Sequence, residues 1–248
     1  MADSGPHAPR TARERARTEL TREIKEEARR QLASSGADGL SLRAVARALG
    51  MVSSALYRYY PSRDDLLTAL IIDAYDAAGE AAEQAIAAAA GETARTRWIA
   101  ACRAVRAWAR SNPHEYALIY GSPVPGYRAP QATVSPAARI PLAFMSLLAA
   151  AAASGELASG QAADGSGAER AQSPVVDGEL AAQALAITAA LAVPEVPPDA
   201  VVRAVIAWTQ LFGMISFELF GQFVGSFDPA DALFGHAAAH LAAFVGLR

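Results

Sequence analysis

The sequence predicts an all-α protein with a small N-terminal domain and a larger C-terminal one. Three observations carry this reading. Apolar residues recur at helical spacing, beginning with Leu20, Ile24, Ala28 and Leu32. Helix-start signals such as Ser41, Ser62, Asn112-Pro113 and Ser135-Pro136 alternate with Gly, Pro and Ser stops. No run has the strict apolar/polar alternation of a half-buried strand.

In chain order, residues 1–15 mix Pro, Gly, Ser and Arg without periodicity and read as a flexible arm. An amphipathic helix follows over 20–34 and ends at Ser34-Ser35-Gly36. Ser41 caps a short second helix in which Leu42, Val45, Ala46 and Leu49 share a face, and Gly50 supplies the turn. Ser53 caps a third helix over 54–60, closed by Pro61. Ser62 caps a linking helix over about 63–88, with Asp64 and Asp65 at the positive end of its dipole. Further helices are expected over 93–110, from Asn112 with Pro113 at N1 and Glu115 at N3 up to Gly121, and from Ser135-Pro136 to Ser154. The last three fall at 178–191, 199–224 and 229–245, and the Gly/Ser/Ala-rich residues 154–177 read as a mobile loop. The two domains then span 16–65 and 66–248.

Composition narrows the function class. With 52% hydrophobic and 19% charged residues, a chain of 248 residues builds a core without crosslinks. Its one cysteine, Cys102, excludes an intrachain disulfide and a Cys-rich zinc module and fits a reducing, cytoplasmic setting. The arginine-rich start has no apolar segment and is not a signal peptide. The most apolar stretch, 140–153, is shorter than the roughly 20 residues a bilayer needs and contains Pro141, so no membrane span is expected.

A net charge of −3 conceals a segregation of charge along the chain. Residues 10–63 hold 12 basic and 6 acidic side chains, whereas 66–248 hold 10 and 16. Arg43, Arg47, Arg58 and Arg63 lie in a stretch with no acidic residue. Here two short helices joined by a tight turn fit a helix-turn-helix, whose second helix enters a major groove. Small Ser53, Ser54 and Ala55 let the backbone approach the bases, Leu56 anchors the helix, and Tyr57, Arg58 and Tyr59 reach phosphates or base edges. The alternative is that these arginines only solvate a helical surface.

The same residues resemble the DNA-binding domain of the TetR family of bacterial transcriptional regulators. The resemblance runs over about 20–75 and rests on the Ser41 cap, Ala46-Arg47-Ala48-Leu49-Gly50, Leu56-Tyr57-Arg58-Tyr59-Tyr60, and Ser62-Arg63-Asp64-Asp65-Leu66-Leu67. Tyr60 stands where phenylalanine is usual. The resemblance implies that Ser41 and Arg43 meet the DNA backbone and that Ser53, Ser54 and Ala55 face the groove. It implies that Tyr57 and Tyr59 bind phosphates and that Arg63 adds another phosphate contact. Arg58 is the candidate for guanine readout. The C-terminal half is similar to a subgroup with a Trp-His-Gly signature, through Trp208 and Gly213 and through residues 112–126 before Tyr127, although Phe212 stands at the expected histidine.

The resemblance further implies a small-molecule effector, no cofactor and a homodimer. Trp108, Tyr116, Tyr120, Phe144, Met145, Trp208, Phe212 and Met214 are the candidate pocket residues, and for each of them and for Trp98 pocket and plain core are equal readings. The last two helices are apolar around most of their circumference, more than one core face uses, and are the expected dimer surface. His236 and His240, four apart, lack a metal-site pattern and read as a solvated or interface pair, and Cys102 reads as a buried small hydrophobe. No metal site and no catalytic constellation are expected. The function expected is a repressor of a palindromic operator, released by a small apolar effector. The rivals are an activator or nucleoid-type binder without effector control and an all-α carrier or enzyme using the same cavity.

Overall fold

The computed structural model of the chain describes residues 11–158 and 176–248. Residues 1–10 of the expected arm and 159–175 of the expected loop lie outside them. Among the described residues there are ten α-helices and no strand. They are α1 (Ala12–Ser35), α2 (Leu42–Ala48), α3 (Ser53–Leu56), α4 (Arg63–Ala88) and α5 (Ala94–Ser111). Then follow α6 (Pro113–Tyr120), α7 (Val134–Ser154), α8 (Gly178–Ala190), α9 (Pro198–Leu219) and α10 (Asp231–Val245).

Several caps are those expected. The hydroxyls of Ser41, Ser62 and Thr93 accept from the backbone N–H three residues on, at Ala44, Asp65 and Thr96. Four starts differ. First, α1 begins at Ala12, inside the expected arm, because Thr11 and Glu14 form a reciprocal capping box. Second, Val52 rather than Ser53 is the N-cap of α3, which is a single turn, with Tyr57 in the turn that follows. Third, the Asn112 side chain caps nothing at α6, since its amide donates back to the Trp108 carbonyl. Fourth, α10 starts at Asp231, whose carboxylate serves an ion pair with Arg106. At the other end of α9, the helix stops at Leu219, short of the expected 224, and Gly221 follows with φ 78°.

Two hydrophobic cores divide the molecule. The head core gathers Ile24, Ala28 and Leu32 of α1, Val45 and Ala46 of α2, Leu56 of α3, and Leu66, Leu67 and Leu70 of α4. Tyr60 is buried with them, and that burial pushes its hydroxyl up to about 12, with the charge of Asp73 adding to the effect. The body core holds Ala78 and Ala82 from later turns of α4, with apolar faces of α5, α7, α9 and α10. One helix thus belongs to both cores. Arg139 of α7 grips it by donating to both Glu83 oxygens, at 2.9 and 2.6 Å, and to Asp76 at 3.0 Å.

Residues 131–154 and α9 are each long and apolar enough, by length and composition, to cross a bilayer, and 39% of each window is buried. The apolar stretch read as 140–153 is longer in the helix, because α7 runs from Val134 to Ser154 straight through Pro141. Ile140, Phe144, Leu147, Leu148 and Ala151 of α7 are buried in the body core, whereas α9 also turns Val205, Ile206 and Phe217 outward.

Candidate functional site

The head surface is built on α2, α3 and the turn after it. Leu56 is fully buried and pins α3, leaving Ser54 exposed and Ser53 and Ala55 half-buried at the outer face. Tyr57 and Arg58 are exposed, and Tyr59 is half-buried beneath the Arg17 guanidinium, 5.8 Å from its ring centroid. Ser41 is engaged as the α2 cap, and Arg43 is exposed one turn on. Arg63 is the exception to the expected arrangement. Its Nε and one terminal nitrogen donate to the carbonyls of Leu40 and Ala37, at 3.2 and 2.7 Å, and the other lies 3.5 Å from Asp64. These bonds tie the start of α4 to the α1–α2 turn, and the Arg63 side chain stays partly exposed.

Sorting the head arginines by partner locates the free charge. Arg22 pairs with Glu19 and Glu26, and Arg30 with Glu27. Arg13, Arg15, Arg17, Arg43, Arg47 and Arg58 are exposed, and none has a carboxylate partner among the described residues. The first three were not among the sequence candidates, and Arg47 was noted there only for its acid-free surroundings. The signal for the first three was Thr11-x-x-Glu14, a capping pattern that extends a helix into the arm.

Behind this surface, α6 stands between head and body. Arg29 of α1 donates to Glu115 of α6 at 2.7 Å and to Asp73 of α4 at 2.8 Å, and Lys25 meets the other Asp73 oxygen at 2.7 Å. The next residue, Tyr116, is fully buried and faces the body. Its hydroxyl lies 2.8 Å from the Ser216 hydroxyl and donates to the Phe212 carbonyl at 3.0 Å, both on α9. Burial raises the Tyr116 and Tyr120 hydroxyls, so both stay neutral donors.

The body contains a partly open, almost wholly apolar pocket of about 200 Å³. Trp98 of α5, Pro141, Phe144 and Met145 of α7, Ile187 and Leu191 at the end of α8, and Val201, Trp208 and Leu211 of α9 line it. Of the candidate pocket residues, Phe144, Met145 and Trp208 are here. Tyr120 instead lines an open cleft of about 620 Å³ beneath the turn at Gly36 and Ala37, while Met214 lines grooves on the outer face of α9 and α10. Trp108, Tyr116 and Phe212 line none of these spaces. Tyr116 and Phe212 form an aromatic layer with Tyr120, the closest rings being those of Tyr120 and Phe212 at 4.1 Å. Trp98 lines the apolar pocket as well; pocket and core are equal readings of it in the sequence because helical spacing separates inside from outside, not cavity from core.

The outer face of α9 and α10 is apolar. Ile206, Phe217 and Phe244 are exposed on it, and the rings of His236 and His240 stack at 6.4 Å. Among the described residues no three His, Cys, Asp or Glu side chains could hold one metal ion. Cys102 is buried, which raises its thiol pKa.

Comparison with known proteins gives concordant matches. Residues 24–70 match the family described as bacterial regulatory proteins, tetR family, and residues 98–241 match the tetracyclin repressor-like C-terminal domain. The HTH-type transcriptional regulators Rv1816 of Mycobacterium tuberculosis and Mb1846 of Mycobacterium bovis are each 40% identical over 213 residues, covering 84% of this chain and 84% of theirs. The crystal structure of SCO4313, described as a regulatory protein, aligns with TM-score 0.72 at 37% identity, covering 95% of this chain and 100% of that one. A protein of unknown function from Rhodococcus sp. RHA1 shares the fold, with TM-score 0.65 at 22% identity over 99% of both chains.

Proposed function

Since the chain belongs to the TetR family and is a helix-turn-helix transcriptional regulator, we propose that it is a homodimeric repressor, without enzymatic activity, released from DNA by a small apolar effector. Such a regulator works in the cytoplasm on double-stranded DNA. Ser53, Ser54 and Ala55 approach the bases, Arg58 reads guanine, and Ser41, Arg43, Tyr57 and Tyr59 contact phosphates. The six unpartnered arginines supply the electrostatic attraction. The exposed apolar face of α9 and α10 supports a two-fold dimer, which places two reading heads on a palindromic operator.

The observation that carries the effector reading is the position of α6. Its Glu115 holds the head through Arg29, and its neighbour Tyr116 holds α9 through Phe212 and Ser216. The same α9 carries Trp208 and Leu211, which line the apolar pocket. A molecule that fills the cavity shifts α9, and α6 passes the shift to α1. To weaken operator binding a hundredfold, the effector needs about 2.7 kcal/mol of preference for the released conformation, within the usual coupling range.

Fluorescence anisotropy with the intergenic DNA upstream of the gene tests this. The proposal predicts binding that resists competition by unrelated DNA, weakens with salt, and is lost with a cavity ligand. Equal affinity for unrelated DNA would remove the operator reading, and retained binding with the cavity filled would remove the effector reading.

A further inference from the structure

The apolar pocket of the body is graded from a buried floor to a wet rim. Trp98, Phe144, Val201 and Leu211 line it and are buried, whereas Ile187 of α8 and Val205 of α9 line it and are 39% and 45% exposed. The opening therefore lies beside these two side chains. Little covers it from α8, which buries only Ala184 and Thr188. The lining has no charged side chain and offers almost no polar surface. A polar group taken inside would lose its water and gain no hydrogen bond in return. A hydrocarbon group gains instead, about fourfold in affinity for each methylene removed from water.

We propose that the effector is an amphiphile that enters tail first. A hydrocarbon end of about eight carbons fills the pocket, and a polar head stays in water at the rim beside Ile187 and Val205. This rests on the reading that the pocket holds the effector, and it adds the ligand's chemical class and orientation. The length follows from volume: roughly 150 Å³ accommodates the six carbons of benzene in an engineered core, so the pocket of about 200 Å³ takes about eight. The rim accounts for the head. A ligand longer than the pocket ends in water, where a polar group keeps its hydration and further hydrocarbon gains nothing. The tail is thus selected by the pocket and the charge of the head is not.

Isothermal titration calorimetry of the full-length protein with 1-hexanol, 1-octanol, 1-decanol, octanoate and 1,8-octanediol tests this. Affinity is expected to rise about sixteenfold from hexanol to octanol and to level off at decanol. Octanoate is expected to bind within about fivefold of octanol, because its carboxylate stays in water, whereas the diol, which must bury a hydroxyl, binds more than about tenfold less tightly. Val205→Trp, a change at an exposed position of the rim, is expected to block the opening and remove octanol binding. Should that variant not fold, the series in the native protein decides by itself. Affinity independent of chain length, a diol that matches octanol, exclusion of octanoate, or undiminished octanol binding by folded Val205→Trp would each overturn the tail-first assignment. Octanol that binds as expected but leaves operator affinity unchanged would overturn the effector reading on which the proposal rests, and binding of no alkanol at millimolar concentration would overturn both.

Discussion

Arg29 Nε and Glu115 Oε1 are 2.7 Å apart and join α1 of the head to the α6 residue that precedes Tyr116. Both side chains are partly shielded, at 33% and 19% exposure, so the pair is worth more than a surface ion pair. Glu115→Ala is expected to lower stability by about 1 kcal/mol in urea unfolding, leaving DNA affinity within about threefold. Its larger expected effect is on coupling, where the effector-driven loss of DNA affinity shrinks by about tenfold. A variant whose effector response is intact would show that the signal bypasses this pair.

Gly79 marks where α4 and α7 approach most closely. A Cβ there would lie 2.6 Å from the Arg139 Cβ, in the stem of a side chain whose guanidinium is committed to Glu83 and Asp76. Alanine is the better helix former by up to about 1 kcal/mol. The clash is expected to win, and Gly79→Ala should lower stability by about 1–3 kcal/mol. A raised melting temperature would contradict the packing of these helices.

Acid sensitivity follows from Arg106. Buried at the junction of α5, α9 and α10, it donates to both Glu218 oxygens at 2.6 and 2.7 Å and to Asp231 at 2.9 Å, with its guanidinium 4.8 Å from the Phe234 ring centroid. Hydrogen bonding and charge from Arg106 hold the Asp231 carboxyl below the ordinary range. A carboxyl lowered in the folded state contributes stability that is complete at neutral pH and lost as pH falls through its folded value, below about 4. Asp231→Asn is therefore expected to be less stable than wild type at pH 7 and to approach it as the pH drops to 3. Denaturation midpoints at pH 7, 5 and 3 measure this, and parallel curves would contradict it.

The capping box at the start of α1 organises Arg13, Arg15 and Arg17. Replacing Thr11 and Glu14 together by alanine costs the cap about 1 kcal/mol, frays the first turn, and is expected to weaken DNA binding a few-fold while leaving the thermal midpoint of the body unchanged. Hydrogen exchange at residues 12–17 should rise in the variant, and unchanged protection there would show that the cap is dispensable.

The head was legible in the sequence because local signals coincide there. The Ser41 and Ser62 caps, the apolar spacing of Val45, Ala46 and Leu49, and the anchor Leu56 each act within a few residues. What the sequence left hidden depends on contacts distant along the chain. The engagement of Arg63 with Ala37 and Leu40 spans more than twenty residues, and the hydrogen bond between Tyr116 and Phe212 spans 96. Asn112 looked like a cap, yet its amide has a nearer acceptor one turn back. The pocket was only half visible, since Trp98, Phe144, Met145 and Trp208 were named with core as an equal reading, and Pro141, Ile187, Leu191, Val201 and Leu211 were not singled out for it. Residue type alone does not reveal which aromatic ring borders empty space.

The most direct test of the DNA-binding account is the salt dependence of operator affinity for the wild-type protein and for Arg43→Ala, Arg58→Ala. With two Arg43 phosphate contacts removed per dimer, the slope of log K against log salt is expected to become shallower by about 2, and the loss of both Arg58 base contacts lowers operator affinity and preference further. An unchanged slope and affinity would show that DNA does not meet this face of the head.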